Sequence, residues 1–331
     1  MSTPSTRKEY LDILRVIAGI AVVCIHVSDP FVNLPLIFGG ITWWLANILN
    51  SFSRISVPLF VMISGALLLP VDKHISQTIF LKKRVGRIII PLIFWSIFYF
   101  IFWRWVYLTP ETLITAYASG KLEHLYFLVI MLGLYTITPI LWIVIRHATM
   151  GEYRYVLIIT FTFSLFLGFL HRFVSGIGYQ ANALTMAFPY ICFYLAGHFL
   201  STYHMKFRAR NFFAIFLVLG IVNAVANYGL VLLDKNNIHL LFSNGLGQYV
   251  YESNSPLIIL MTILIFIVVQ RVATETFLTG IIKNISLHVF GIYLIHPFVI
   301  FVLDRYLHLG VDSLLSPLWA YMILKIVSVF G

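Results

Sequence analysis

Leu11-Asp-Ile-Leu-Arg-Val-Ile-Ala-Gly-Ile-Ala-Val-Val-Cys-Ile-His26 is an apolar stretch that carries two groups able to do chemistry, Arg15 and His26. They are eleven positions apart. On a helix that is three turns plus about 20°, so both lie on one seam, about 16 Å apart along the axis. A guanidinium inside a membrane helix costs on the order of 3 kcal/mol on insertion scales, which makes it a functional-site candidate. Asp12 stands three positions before Arg15 and can pair with it on the same face. The plainer reading of that pair is structural, a counterion that makes Arg15 tolerable. Asp29 follows His26 by three positions, so a carboxylate is placed to fix the imidazole tautomer and raise its basicity. A histidine near an interface also serves simply as a packed, hydrogen-bonded residue.

Three further segments carry polar groups. Leu81-Lys-Lys-Arg-Val-Gly-Arg87 places Lys82, Lys83, Arg84 and Arg87 together, with Arg84 and Arg87 on one helix face. Such a cluster suits phosphates, since the planar fork of Arg donates two parallel hydrogen bonds. It equally serves as a topology determinant that meets acidic lipids. Glu123-His124-Leu-Tyr-Phe opens a span with Glu123 and His124, which only tertiary packing could bring to His26. Ser286-Leu-His-Val-Phe-Gly-Ile-Tyr-Leu-Ile-His296-Pro holds Ser286, Tyr293 and His296 deep in an apolar run. Polar groups there need partners across helices, because an unsatisfied one costs several kcal/mol in lipid. Ser64 and Gly65, after Pro58, read as small residues for close helix packing.

The elements that must position these groups are membrane helices. Of 331 residues 60% are hydrophobic and 10% charged, against about 25% charged in soluble domains. Ten spans of near 20 residues are expected: 10–28, 45–69, 83–106, 124–145, 154–172, 183–201, 212–233, 254–271, 284–304 and 313–331. The expected fold is an all-α polytopic bundle, one domain over 1–331 without internal repeats. Trp43 to Ser53 is the least regular part and is expected along the interface before the chain turns in at Pro58. The last span stops at Val-Phe-Gly without a polar flank, so it is expected to end at the membrane face or to be incomplete.

With the N-terminus inside, fourteen Lys and Arg fall on the inner side, five on the outer side and three within spans. That asymmetry sets a cytoplasmic N-terminus. It also accounts for the net charge of +10 without nucleic acid as a partner. Cys24 and Cys192 lie inside apolar spans, as small buried side chains and not as a disulfide or metal site. No metal and no permanently bound cofactor is expected.

In order along the chain these segments resemble the acyltransferase 3 family of integral-membrane O-acyltransferases. Arg15 and His26 are similar to its Arg-ten-residues-His signature in the first helix. Val57-Pro58-Leu59-Phe60 to Ser64-Gly65 is similar to its second-helix motif, and Arg84, Arg87 and Pro91 to its basic third-helix entry. His124-Leu-Tyr-Phe-Leu128 resembles its His-Leu-Trp-Phe-Leu motif, with Tyr126 replacing the common Trp. Ile292-Tyr293-Leu294-Ile295-His296 resembles its late Tyr-Leu-x-His element. Ala46 to Arg54 further resembles the branch that includes the enterobacterial common antigen O-acetyltransferase. The resemblance implies a bacterial inner-membrane enzyme. Such an enzyme moves an acyl group, usually acetyl, from cytosolic acyl-CoA to a hydroxyl of an outward-facing sugar, a lipid-linked glycan or a surface polysaccharide.

On that reading His26 is the general base, and Tyr293 or His296 donates to the oxyanion. Arg15 holds the donor, whose phosphates meet Arg84, Arg87, Lys82 and Lys83. Asp29, Glu123 and His124 face the acceptor. Direct transfer and a two-step route through an acylated His26 both remain open. The competing class is a secondary transporter of a sugar- or lipid-linked solute, which would also need polar residues on a seam.

Overall fold

In the computed structural model, residues 9–70, 76–107, 123–173, 185–203, 208–235, 249–273, 279–306, 326, 328 and 329 are described. The described residues form helices and no strand. They are α1 Glu9–Val32, α2 Ile41–Ser53, α3 Ser56–Leu68, α4 Gln77–Tyr107 and α5 Tyr126–His147, then α6 Met150–Phe173, α7 Ile191–Thr202, α8 Ala209–Lys235, α9 Pro256–Val272 and α10 Thr279–Tyr306. Among the described residues eight helical stretches are long and apolar enough to cross a membrane, α2 and α3 together making one of them, Ile41–Leu68. They match eight of the ten expected spans. The sixth expected span is described only from residue 185, and of the tenth only residues 326, 328 and 329 are described. Large apolar side chains face outward, Ile90 of α4 and Ile158 of α6 among them. A soluble surface could not carry so much exposed apolar area; a bilayer solvates it. The chain is a multi-pass membrane protein.

The chain divides into two compact units, Met1–Ile63 with Met205–Gly331, and Ser64–His204. In the first unit α1 packs against α2 and α10, α8 against α9, and α2 against α8. The segment expected along the interface is instead the helix α2, with Trp43, Asn47, Asn50, Ser51 and Ser53 buried. The physical reason is its polar face, which finds hydrogen bonds inside the unit: Asn47 Nδ2 donates to the Ala224 carbonyl at 2.8 Å, and Asn227 Nδ2 donates to Asn47 Oδ1 at 3.0 Å. Tyr251 OH is bonded to Asn47 Oδ1 as well. Trp43 Nε1 donates to the Val32 carbonyl at 2.9 Å, tying the start of α2 to the end of α1. Ser255 caps α9, its hydroxyl accepting from the Ile258 amide at 3.4 Å, with Pro256 in the first turn where no amide hydrogen is needed.

In the second unit α4 packs on α5, and α6 on α7. Trp142 Nε1 donates to the Leu68 carbonyl at 2.9 Å. Gly65 lies against the backbone of Tyr194, where a Cβ would run into the Tyr194 carbonyl oxygen. Close approach is therefore what the small residue at 65 allows, as the packing reading expected. Tyr153 OH donates to the Leu195 carbonyl at 3.0 Å and so accepts from His198 Nδ1 at 2.8 Å. That is a packed, satisfied histidine.

Candidate active site

The seam expected on α1 exists, and α10 covers it. One stripe of α1 holds Asp12, Arg15, Gly19, Val22 and His26, and one stripe of α10 holds Ser286, Val289, Tyr293, His296 and Ile300. Both stripes alternate steps of three and four, the spacing that keeps two helices in contact along their length. Ser286 meets Arg15, Val289 meets Gly19, and His296 meets His26. The helices therefore run parallel. At Gly19 a Cβ would stand 2.9 Å from Val289 Cγ1, so the glycine lets the two axes approach.

At one end Asp12, 4% exposed, holds Arg15 and Ser286. Its Oδ1 accepts from Arg15 Nη1 at 2.6 Å and from the Ser286 hydroxyl at 2.8 Å. Arg15 Nη1 is also 3.5 Å from Ser286 Oγ. The guanidinium is thus neutralised locally, and its side chain stays 29% exposed, enough to meet a ligand.

At the other end the rings of His26 and His296 stand 4.8 Å apart, centroid to centroid, at 53°. His26 is half-buried and His296 fully buried. Pro297 follows His296 inside α10. In a regular helix the amide of residue 297 would donate to the carbonyl of Tyr293, but proline has no amide hydrogen. His296 Nδ1 takes that carbonyl instead, at 2.7 Å. A carbonyl only accepts, so Nδ1 carries the hydrogen and the neutral ring keeps Nε2 as its acceptor. The expected role of His296 as an oxyanion donor does not fit that tautomer. Tyr293, 4% exposed, has its ring 6.1 Å from the His296 ring.

Asp29 behaves differently from the expectation that it fixes the His26 tautomer. Its Oδ1 accepts from Arg54 Nη2 at 2.6 Å and Asn50 Nδ2 at 3.3 Å, and its Oδ2 from Asn33 Nδ2 at 3.1 Å. Arg54 also donates through Nε to Asn50 Oδ1 at 2.6 Å and lies over the Tyr251 ring at 4.6 Å. Competition explains the change: a guanidinium and two amides outbid a neutral imidazole for one carboxylate. In the sequence Arg54 was one of the three charges within spans and the end of the Ala46 to Arg54 segment, with no role in the site. Its signal was the polar stripe Asn47, Asn50, Arg54, which recurs at helical spacing.

The remaining expected residues lie in the other unit. Arg84 is half-buried in the first turns of α4, while Lys82, Lys83 and Arg87 are exposed. His124 is 3% exposed, with the Tyr99 ring edge-on at 4.8 Å. The Glu123 side chain lies outside the described residues. Among the described residues no group of His, Cys, Asp and Glu is placed to hold a metal ion.

A family model described as an acyltransferase domain matches residues 8–331. No curated protein and no solved structure matched the chain. The match runs through both units and takes in every segment discussed above, from Asp12 in α1 to His296 in α10, so the chain belongs to the acyltransferase 3 family and is a membrane acyltransferase.

Proposed function

We propose that this chain is an O-acyltransferase, using acetyl-CoA or a related acyl-CoA from the cytosolic side to acylate a hydroxyl of an outward-facing sugar or lipid-linked glycan. The observation that carries the reading is the α1–α10 seam, with a partly exposed guanidinium at one end and a partly exposed imidazole at the other. The positive-inside distribution puts Arg15 toward the cytosol and His26 toward the outside. An extended pantetheine arm spans the intervening distance of about 16 Å. Arg84, Arg87, Lys82 and Lys83 are the residues assigned to the CoA phosphates, and Arg15 to the donor within the membrane.

His26 removes the proton of the acceptor hydroxyl as its oxygen attacks the thioester carbon. The Tyr293 hydroxyl is assigned to the developing oxyanion. Asp29 and His124 are assigned to the acceptor side, with Glu123.

The test is transfer of labelled acetyl from acetyl-CoA in membranes containing this chain, against His26→Ala at matched amounts of folded protein. Label should enter a glycan or glycolipid fraction only with the unaltered chain. Near-normal transfer by His26→Ala would remove His26 as the base. Absence of both transfer and acetyl-CoA binding, with acceptor lipid present, would overturn the reading and favour a transporter.

A further inference from the structure

We propose that His296 is the second member of a two-imidazole proton relay. It takes from His26 the proton that His26 receives from the acceptor hydroxyl. This rests on the function proposed above and assigns a further residue to it.

Three features of the structure lead there. The rings are in contact, 4.8 Å apart by centroid and tilted at 53°, and the nitrogen-to-nitrogen bond the relay needs forms in the substrate complex, where catalytic contacts tighten. His26 is half-buried and can meet substrate, whereas His296 is 0% exposed and can act only through His26. The Nδ1 hydrogen of His296 is committed to the Tyr293 carbonyl at 2.7 Å, so Nε2 is the nitrogen that takes up a proton. Pro297 creates this state by removing the amide that would otherwise compete for that carbonyl. Once His296 is protonated, its Nδ1–H bond to the carbonyl becomes charge-assisted and about twice as strong. The buried cation is thereby stabilised where water cannot reach it.

The step balances. The acceptor O–H bond breaks and an N–H bond forms on one nitrogen of His26. The N–H bond on its other nitrogen breaks, and an N–H bond forms at Nε2 of His296. When the tetrahedral intermediate expels the CoA thiolate, the same two transfers run in reverse and the sulfur receives the proton. No net proton or electron is left over. His26 requires no carboxylate partner in this scheme, which agrees with Asp29 accepting its hydrogen bonds from Arg54, Asn50 and Asn33.

The experiment measures acetyl transfer by the purified full chain in mixtures of light and heavy water. It uses the unaltered chain, His296→Gln and Pro297→Ala, each checked for a single folded species. Glutamine still donates to the Tyr293 carbonyl but has no nitrogen that accepts a proton. The unaltered chain should give a bowed dependence on deuterium fraction, the mark of two protons in flight. His296→Gln should lose about 100-fold in kcat, the low end for a proton-transfer group, keep KM for acetyl-CoA within about twofold, and give a straight dependence. Pro297→Ala restores the competing amide and should fall between the two. A straight dependence in the unaltered chain would overturn the relay while leaving His26 as the base. A folded His296→Gln chain with at least half the original rate, or with the bow intact, would overturn it too. If the unaltered chain transfers nothing, the proposed function fails, and the relay with it.

Discussion

Replacing Asp12 by Asn tests whether the guanidinium end of the seam is held by charge or merely by shape. Asn keeps the size and one acceptor oxygen but removes the negative charge. The bonds affected include the 2.6 Å contact from Arg15 Nη1 and the 2.8 Å contact from Ser286. A hydrogen bond to a charged group contributes about 1.5–3 kcal/mol, against about 1 kcal/mol for a neutral pair. The exchange therefore costs about 1–2 kcal/mol at Arg15 and less at Ser286, for a total of about 2 kcal/mol. The 29% exposure of the Arg15 side chain keeps the figure below the 3–5 kcal/mol of a fully buried pair. At about 2–4 °C per kcal/mol for a large chain, the melting temperature should fall by about 4–8 °C.

Thermal unfolding of the detergent-purified chain, followed by monodisperse peak height, reads this directly. The decisive arm is the double variant Asp12→Asn with Arg15→Gln. Once one charge is gone, the other is a liability, so the double variant should be no worse than the poorer single. The coupling should be about 1–3 kcal/mol. Two single losses that simply add would refute the pairing as the source of stability at this end.

Gly65→Ala should sharply lower the yield of folded chain, because its Cβ meets the Tyr194 backbone. Gly86→Ala has nothing within 4 Å and should be neutral or gain up to about 1 kcal/mol from helix propensity, so the two yields compare a tight and an open site. Arg84→Gln with Arg87→Gln should raise KM for acetyl-CoA at least about tenfold, the effect of losing about 1.4 kcal/mol of binding, with the melting temperature unchanged; kinetics and thermal unfolding check both. Arg54→Gln breaks a pair whose side chains are 21% and 40% exposed, so stability should change by less than about 1 kcal/mol. Acceptor KM should rise while KM for acetyl-CoA holds, a split that steady-state kinetics resolves.

Periodicity and local pairing were readable from residue order. Arg15 and His26 fall on one seam because eleven positions is close to a whole number of turns, and Asp12 reaches Arg15 within one turn. The need of Ser286 and His296 for partners followed from their depth in an apolar run. Their identity did not follow, because sequence spacing says nothing of which helix lies opposite. The donors to Asp29 were hidden for a related reason: they come partly from α2, whose side of the bundle is a tertiary fact. Pro297 was visible beside His296, but its effect appears only when the helix is seen to continue through it and release the Tyr293 carbonyl. The misplacement of residues 43–53 came from treating Asn and Ser as interfacial. Here they hydrogen-bond inside the bundle.

The parallel pairing of α1 and α10 also fixes an order of events during synthesis. Arg15 carries its counterion with it, since Asp12 belongs to the same helical turn and the two enter the bilayer together. The hydroxyl of Ser286, 274 residues further on, and the second imidazole arrive only after most of the chain has been threaded. A half-made chain thus holds a tolerable cation but not yet a paired imidazole seam. Under the proposed chemistry, a nascent chain stalled in the insertion machinery would have no assembled base with which to spend thioester on water.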